Sequence, residues 1–232
     1  MRLGLIGDIH GNSIALQAVL NSMLISKIDR ILVTGDLIGY YFDPKSVIQL
    51  LRDWPCVYVM GNHEEMLKHG RRNPEELAAI ESKYGCGIRL ALEALSQSQL
   101  DQIEKFPITA SLKIDDCKIL LCHGTPWSTE SYLYPNASQE ALAEYRSLPY
   151  DFVIMGHTHY PMKIKVGDVR LVNPGSVGQP RTKEKDASWA LLDTETGEVT
   201  FRMEKYDSTN LITECRQRHP EIPYLAEVLC KK

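Results

Sequence analysis

The sequence predicts an α/β fold built around a parallel sheet. Three observations lead there. Short apolar runs alternate with helical patterns, the first elements run β-α-β-α-β, and 232 residues are enough for one such domain with a full core. A hydrophobic share of 44% and a charged share of 24% are those of an ordinary globular chain, so a packed core is expected.

Residues 3–6 read as the first strand. The next segment places apolar side chains at 14, 16, 19, 20, 23 and 24. That is a mostly helical spacing, and Asn12 or Ser13 can cap its start. Ile31-Leu32-Val33 is a second strand, Pro44 suits the first turn of a helix running to about Asp53, and residues 56–60 form a third strand. This β-α-β-α-β order implies a parallel sheet with right-handed crossovers. Residues 64–105 are polar and mostly helical, and read as a helical insertion over the functional end of the sheet. Further strands are predicted at 111–114, 118–122, 152–155, 162–166, 169–172, 188–192 and 199–205. Gly167-Asp168 and Thr196-Gly197 read as hairpin turns. Residues 206–232 read as a helical tail with a break near Pro220 and Pro223. Nothing resembling a repeat or a linker interrupts the chain, so residues 1–232 are expected to form a single domain.

The formal net charge of −4 argues against a general nucleic-acid coat. No apolar stretch approaches the roughly 18 residues needed to span a bilayer. The apolar start is too brief for a signal peptide, because Asp8 follows at once. A cytoplasmic protein is expected. The six cysteines contain no C-x-x-C pair, so they read as reduced, mostly buried thiols rather than a zinc finger or redox site.

Five apolar runs each end in groups able to bind metal. They lead into Gly7-Asp8-Ile9-His10-Gly11, Gly35-Asp36, Gly61-Asn62-His63-Glu64, His123-Gly124 and Gly156-His157-Thr158-His159. Ligands of open α/β sheets collect outside the carboxyl ends of the strands, so the five runs aim these side chains at one place. Carboxylate, imidazole and amide oxygen without thiolate suit Mn, Fe, Zn, Co or Ni. Seven such groups exceed a single tetrahedral site, whereas two ions sharing one carboxylate use them all. Cys122 precedes His123 but faces the opposite side of a strand, so it reads as core.

In this order, the motifs resemble the calcineurin-like metallophosphoesterase superfamily, over residues 4 to about 193. The resemblance implies a four-layer α-β-β-α sandwich of two mixed sheets. It implies one metal held by Asp8, His10, Asp36 and His159, and a second held by Asp36, Asn62, His123 and His157, with Asp36 bridging. His63 resembles the family's non-ligand histidine, expected to bind a phosphoryl oxygen or protonate the leaving alkoxide. Two divalent ions are implied, manganese being the one expected for activity, with a hydroxide between them attacking phosphorus in line. Protein serine/threonine phosphatases of this superfamily carry G-D-x-V-D-R-G. Here Gly39 replaces the second Asp and the Arg is missing, which disfavours that activity. Asp8-Ile9-His10-Gly11-Asn12 and the run from Asn173 to Arg181 look like the small bacterial phosphodiesterase branch.

The expected substrate is therefore a small phosphodiester or nucleotide, with no extended nucleic-acid surface and no membrane; a homo-oligomer is left open. The alternatives are a phosphomonoesterase or dinucleoside-polyphosphate hydrolase, and a non-catalytic protein-binding scaffold. Asn12, Arg181 and Tyr40 are read as substrate contacts, and one of Tyr40, Tyr41, Phe42 and Trp127 as a stacking ring. Arg71-Arg72 reads as a solvated pair, and His69 and His219 as surface residues.

Overall fold

Alternation along the strands decides the layering. The computed structural model describes residues 1–230. Its first sheet contains β1 (Arg2–Ile6), β2 (Arg30–Val33), β3 (Cys56–Tyr58), β9 (Ala187–Asp193) and β10 (Glu198–Glu204), in the order β10-β9-β1-β2-β3. The β1, β2 and β3 strands are parallel, while β9 and β10 add on antiparallel. The second sheet contains β4 (Thr109–Ile114), β5 (Cys117–Cys122), β6 (Phe152–Ile154), β7 (Pro161–Val166) and β8 (Val169–Pro174), in the order β4-β5-β6-β8-β7. Here β5, β6 and β8 are parallel, and the edge strands run antiparallel.

Successive side chains of a strand point to opposite faces. Leu5 and Leu32 enter the space between the sheets and meet Ile119, Leu121, Phe152 and Ile154. Their neighbours Ile6, Ile31 and Val33 point outward. They pack under α1 (Ser13–Ile25) and α2 (Pro44–Arg52) with Leu16, Val19, Leu20 and Val47. In the second sheet Leu120, Cys122 and Val153 face away, onto a thinner layer formed by α7 (Gln139–Ala143) and a 3-10 turn (Glu144–Ser147). The result is the four-layer sandwich, with Cys122 buried among the apolar side chains beneath the outer layer, in line with its reading as core.

Local chemistry sets the helix starts. Asn12 Oδ1 accepts the Ala15 N–H (3.1 Å) at the head of α1, and Asp43 Oδ1 accepts the Ser46 N–H (3.2 Å) ahead of Pro44 in α2. The predicted third strand stops at Tyr58 rather than 60, because the Met60 N–H leaves the sheet for the Pro107 carbonyl (2.8 Å). Helix α3 (Asn62–Gly70) starts two residues before the predicted insertion, so Asn62 and His63 form its first turn. It is followed by α4 (Pro74–Tyr84), α5 (Gly87–Ala94) and α6 (Gln97–Ile103). Arg71 and Arg72 pair with Glu104, and Arg71 also with Asp101, which binds the start of this helical run to its end.

Helices α8 (Thr209–Arg218) and α9 (Tyr224–Glu227) flank the expected break and, with Leu229 just beyond, pack Leu211, Cys215 and Leu225 against Tyr41. His219 is a correction: it is buried rather than on the surface. Its Nε2 accepts the Cys86 N–H (3.0 Å), and its ring stacks on Phe42 at 6.2 Å. It thereby ties the tail to the helical run. Sequence reading took this histidine as exposed because its partners lie far away in the chain. No described helix is long and apolar enough to cross a membrane.

Candidate metal centre

The loops leaving β1, β2, β3, β5 and β6 bring all seven expected donors together, each buried. Their backbone is unusual. Asp8, His10, Asp36, Tyr40, His157 and His159 all have φ between 50° and 66°. Left-handed backbone costs a residue with a Cβ about 1–2 kcal/mol and persists where surrounding contacts over-determine it. Those contacts are present: the Ile9 and His10 N–H groups both reach the Asp36 carbonyl (2.7 and 2.9 Å), and the Gly11 N–H reaches Leu37 (2.9 Å).

Three imidazoles are oriented by backbone carbonyls. His123 Nδ1 lies 2.7 Å from the Thr34 carbonyl, His159 Nδ1 2.8 Å from Gln179, and His10 Nδ1 3.3 Å from Ile38. A carbonyl can only accept, so each Nδ1 carries a hydrogen and each Nε2 is the ring nitrogen turned toward the other donors. Around His123 Nε2 stand Asn62 Oδ1 at 2.9 Å, His157 Nδ1 at 3.1 Å and Asp36 Oδ2 at 3.4 Å. One proton on Nε2 would satisfy one of these acceptors. A cation at their centre would satisfy all four, and donors about 2.0–2.2 Å from one ion stand about 3–3.5 Å from each other. The same pattern recurs beside it. His10 Nε2 is 3.2 Å from His159 Nε2, Asp8 Oδ1 is 3.5 Å from His159 Nε2, and Asp36 Oδ2 is 3.7 Å from His10 Nε2. The Asp36 carboxylate thus faces both groups, while its Oδ1 accepts the His63 N–H (2.9 Å). The donor set, oxygen and nitrogen without sulfur, fits a divalent ion of intermediate hardness.

A carboxylate that sequence reading left without a role holds this centre in place. Glu64 is fully buried and accepts the N–H groups of Asp36 (2.7 Å), Leu37 (2.8 Å) and Gly61 (2.8 Å). A Glu three residues after a helix-capping position was the available signal.

Burial sets the charges. It pushes Asp8 and Glu64 each up to about 7, and the neighbouring Asp36 charge adds to both shifts. Burial also opposes the charge on Asp36, but His123 and His63 beside it hold it well below the usual carboxylate range. His123 takes the opposite course to its neighbours: burial opposes its charge, yet Asp36 carries it up to about 10. Burial drives His10 and His159 well down, and His157 to about 4.

Around the donors, His63 lies with its ring 4.7 Å from His10 and 4.8 Å from Tyr40. It also forms a group of donor atoms with His10 and Asp36. Its Nδ1 is buried without a hydrogen-bond partner. Gly39 has φ +90°, and a Cβ there would stand 2.1 Å from that Nδ1, so the ring occupies the space an aspartate would need. Arg181 has a buried Nε without a partner, and its guanidinium lies within electrostatic range of Tyr224, Tyr40 and Asp8.

Other expected contacts are placed elsewhere. Asn12 is 1% exposed; besides capping α1 it donates to the Gly178 carbonyl (2.9 Å) and the Tyr206 hydroxyl (3.3 Å), so its amide is engaged in bracing the fold. Tyr41 is buried under the tail, Phe42 stacks on His219, and Trp127 leans on Tyr145 (5.0 Å), which leaves Tyr40 as the one of the four against the donors. The run from Asn173 to Arg181 braces the ligands. Ser176 Oγ and the Gly178 N–H both donate to the Asp8 carbonyl (2.7 and 3.0 Å), and Asn173 Nδ2 donates to the Gly156 carbonyl (2.6 Å). Sequence reading missed Tyr132, whose ring lies face to face with His157, and Tyr84, whose ring is 5.3 Å from His63.

A fold of two mixed sheets with acid, imidazole and amide donors at the strand ends defines a metallophosphoesterase. The chain belongs to the calcineurin-like phosphoesterase superfamily, whose domain matches residues 1–197. The Methanocaldococcus jannaschii protein MJ0912 is 30% identical over 223 residues, covering 88% of each chain. Phosphodiesterase YfcE of Escherichia coli is 25% identical over 199 residues, covering 84% of this chain and 89% of that protein. The crystal structure of protein PH1004 from Pyrococcus horikoshii OT3 shares the fold at a TM-score of 0.85 and 21% identity, covering 99% of this chain and 98% of that one. Family and phosphodiesterase relative together support a phosphoric ester hydrolase.

Proposed function

We propose that the chain hydrolyses phosphodiesters or nucleotides with two divalent cations. One would be held by Asp8, His10, Asp36 and His159, the other by Asp36, Asn62, His123 and His157. The observation that carries this reading is the convergence of three acceptor atoms on His123 Nε2 within 3.4 Å, with Asp36 Oδ2 turned to both groups. Two cations bound there would supply Lewis-acid charge and lower the pKa of an attacking water, as in-line displacement at phosphorus requires. Manganese is the ion proposed for activity.

The residues around the donors complete the chemistry. His63 stands beside His10 and Asp36 with a free Nδ1, the position from which an imidazole reaches a phosphoryl oxygen or hands a proton to the leaving alkoxide. Arg181 offers a fixed positive charge to a non-bridging oxygen, and Tyr40 packs the floor beneath His63. We also propose that residues 1–232 work as one domain in the cytoplasm, with residues 64–105 over the site and the tail from 206 behind it.

Metal analysis beside a screen of one diester, one monoester and one dinucleoside polyphosphate tests the proposal. Two equivalents of metal and fastest turnover of the diester with manganese are expected. Loaded protein that turns over none of the three, and instead captures a protein partner, would establish the scaffold reading.

A further inference from the structure

The rim of this centre is aromatic. The Tyr132 ring lies against His157, with centroids 4.1 Å apart and planes 21° from parallel. Tyr134 continues the stack at 5.6 Å and 10°. Tyr160 stands beside Tyr134 at 6.2 Å, tilted by 59°. These rings stay 52%, 40% and 36% exposed, although large apolar faces are ordinarily turned against a core. A single ring over His157 would be accounted for as a shield on that imidazole. The second and third rings shield nothing and hold a flat carbon surface open to solvent.

We propose that Tyr132 and Tyr134 form a stacking subsite for the nucleobase of a nucleotide whose phosphate lies at the donor centre. This rests on the phosphoesterase reading above and narrows it to substrates carrying a base. The inner end of the stack touches His157, whose Nδ1 faces His123 Nε2 at 3.1 Å, so the ladder leads directly away from the donors. A nucleotide has the matching shape: an anionic phosphate, a sugar as spacer, and a planar ring. Arg181 acts electrostatically on both Asp8 and Tyr132, so one positive charge lies within range of the donors and of the ladder. Stacking on phenol rings accepts every base, so little discrimination among bases is expected.

Titration of the manganese-loaded full chain with thymidine 5′-monophosphate, phenyl phosphate and inorganic phosphate tests this. The nucleotide is expected to bind about tenfold more tightly than inorganic phosphate, the scale of one stacked base. Tyr134→Ala removes that advantage, Tyr134→Trp keeps it, and metal content stays at the wild-type value in both. Equal affinity for nucleotide and phosphate in the wild type, or an advantage that survives Tyr134→Ala, would overturn the subsite. Phenyl phosphate binding as tightly as the nucleotide would overturn its assignment to a base. Failure of the hydrolase reading shows up separately, as absent turnover beside an intact nucleotide advantage.

Discussion

Two donor groups meet at Asp36, and they hold charge differently. In the group of Asp8, His10 and His159, burial drives both imidazoles well down and carries the Asp8 carboxyl up to about 7. In the group of Asn62, His123 and His157, the Asp36 carboxylate lies 3.4 Å from His123 and carries that imidazole up to about 10. His123 alone is raised; His157 beside it is lowered to about 4, like His10 and His159 across the carboxylate. Without metal, the second group is charge-balanced by an imidazolium, while the first is kept near neutral. Two cations would replace a proton on one side and relieve a desolvated carboxylate on the other.

The largest effect is expected from removing the carboxylate that both groups share. Asp36→Ala is expected to lose metal from both groups, because no other carboxylate faces both His10 and His123, and activity should fall to background. His63→Ala spares the donors. It should keep the wild-type metal content and lose about 10²- to 10⁴-fold in kcat, the range of general acid catalysis. Metal analysis separates the two variants. Metal lost from His63→Ala would make that imidazole a ligand, as its grouping with His10 and Asp36 allows.

A smaller effect is expected at Glu64, which touches the backbone of the donor loops. Glu64 receives three backbone N–H groups with a buried carboxylate, and a glutamine in its place offers one acceptor oxygen and turns an NH₂ toward the others. Glu64→Gln should weaken metal binding about 10- to 100-fold, as loss of a ligand's orienting partner does. It should also lower stability by about 1–3 kcal/mol through the unpaired N–H groups. Competition with a chromogenic chelator and thermal unfolding read the two effects. A variant with normal affinity would mean that the Asp36 loop holds its left-handed turn without help.

The donors and the strands were legible because each lies at a strand end, where short apolar runs and neighbouring glycines mark the turn locally. Ten strands were placed within two residues of their ends. What escaped depends on contacts distant in sequence. His219 looked like a surface residue and is buried through Cys86, 133 positions away. Asn12 looked available to substrate but is occupied by Gly178, 166 positions away. The α7 helix has five residues, too few for a period to show. Tyr132 and Tyr134 sit in a loop without regular structure, so no pattern announces which way their rings turn.

The finest test follows from the charge difference itself. Folded, metal-free protein holds the His123 proton up to about 10, whereas an ordinary histidine releases it near 6.5. Between those values the folded state binds more protons than the unfolded state. Stability fully present below 6.5 should therefore be lost as pH rises toward about 10. Asp8 and Glu64 act in the same sense but finish near 7. The lowered His10, His157 and His159 act in the opposite sense only below 6.5, so the decline that begins at about pH 7 belongs to His123, and the raised N-terminus and cysteines add to it in the same sense only near and above their ordinary values of 8.0 and 9.0. A cation on Nε2 displaces that proton and flattens the dependence. It also adds about 2.7 kcal/mol when free metal is about a hundredfold above its Kd. Chelated protein should show a Tm that declines from about pH 7 to about pH 9, and loaded protein a higher, level one. A level profile after chelation would mean that His123 is uncharged, and the two groups would then differ only in their neighbours.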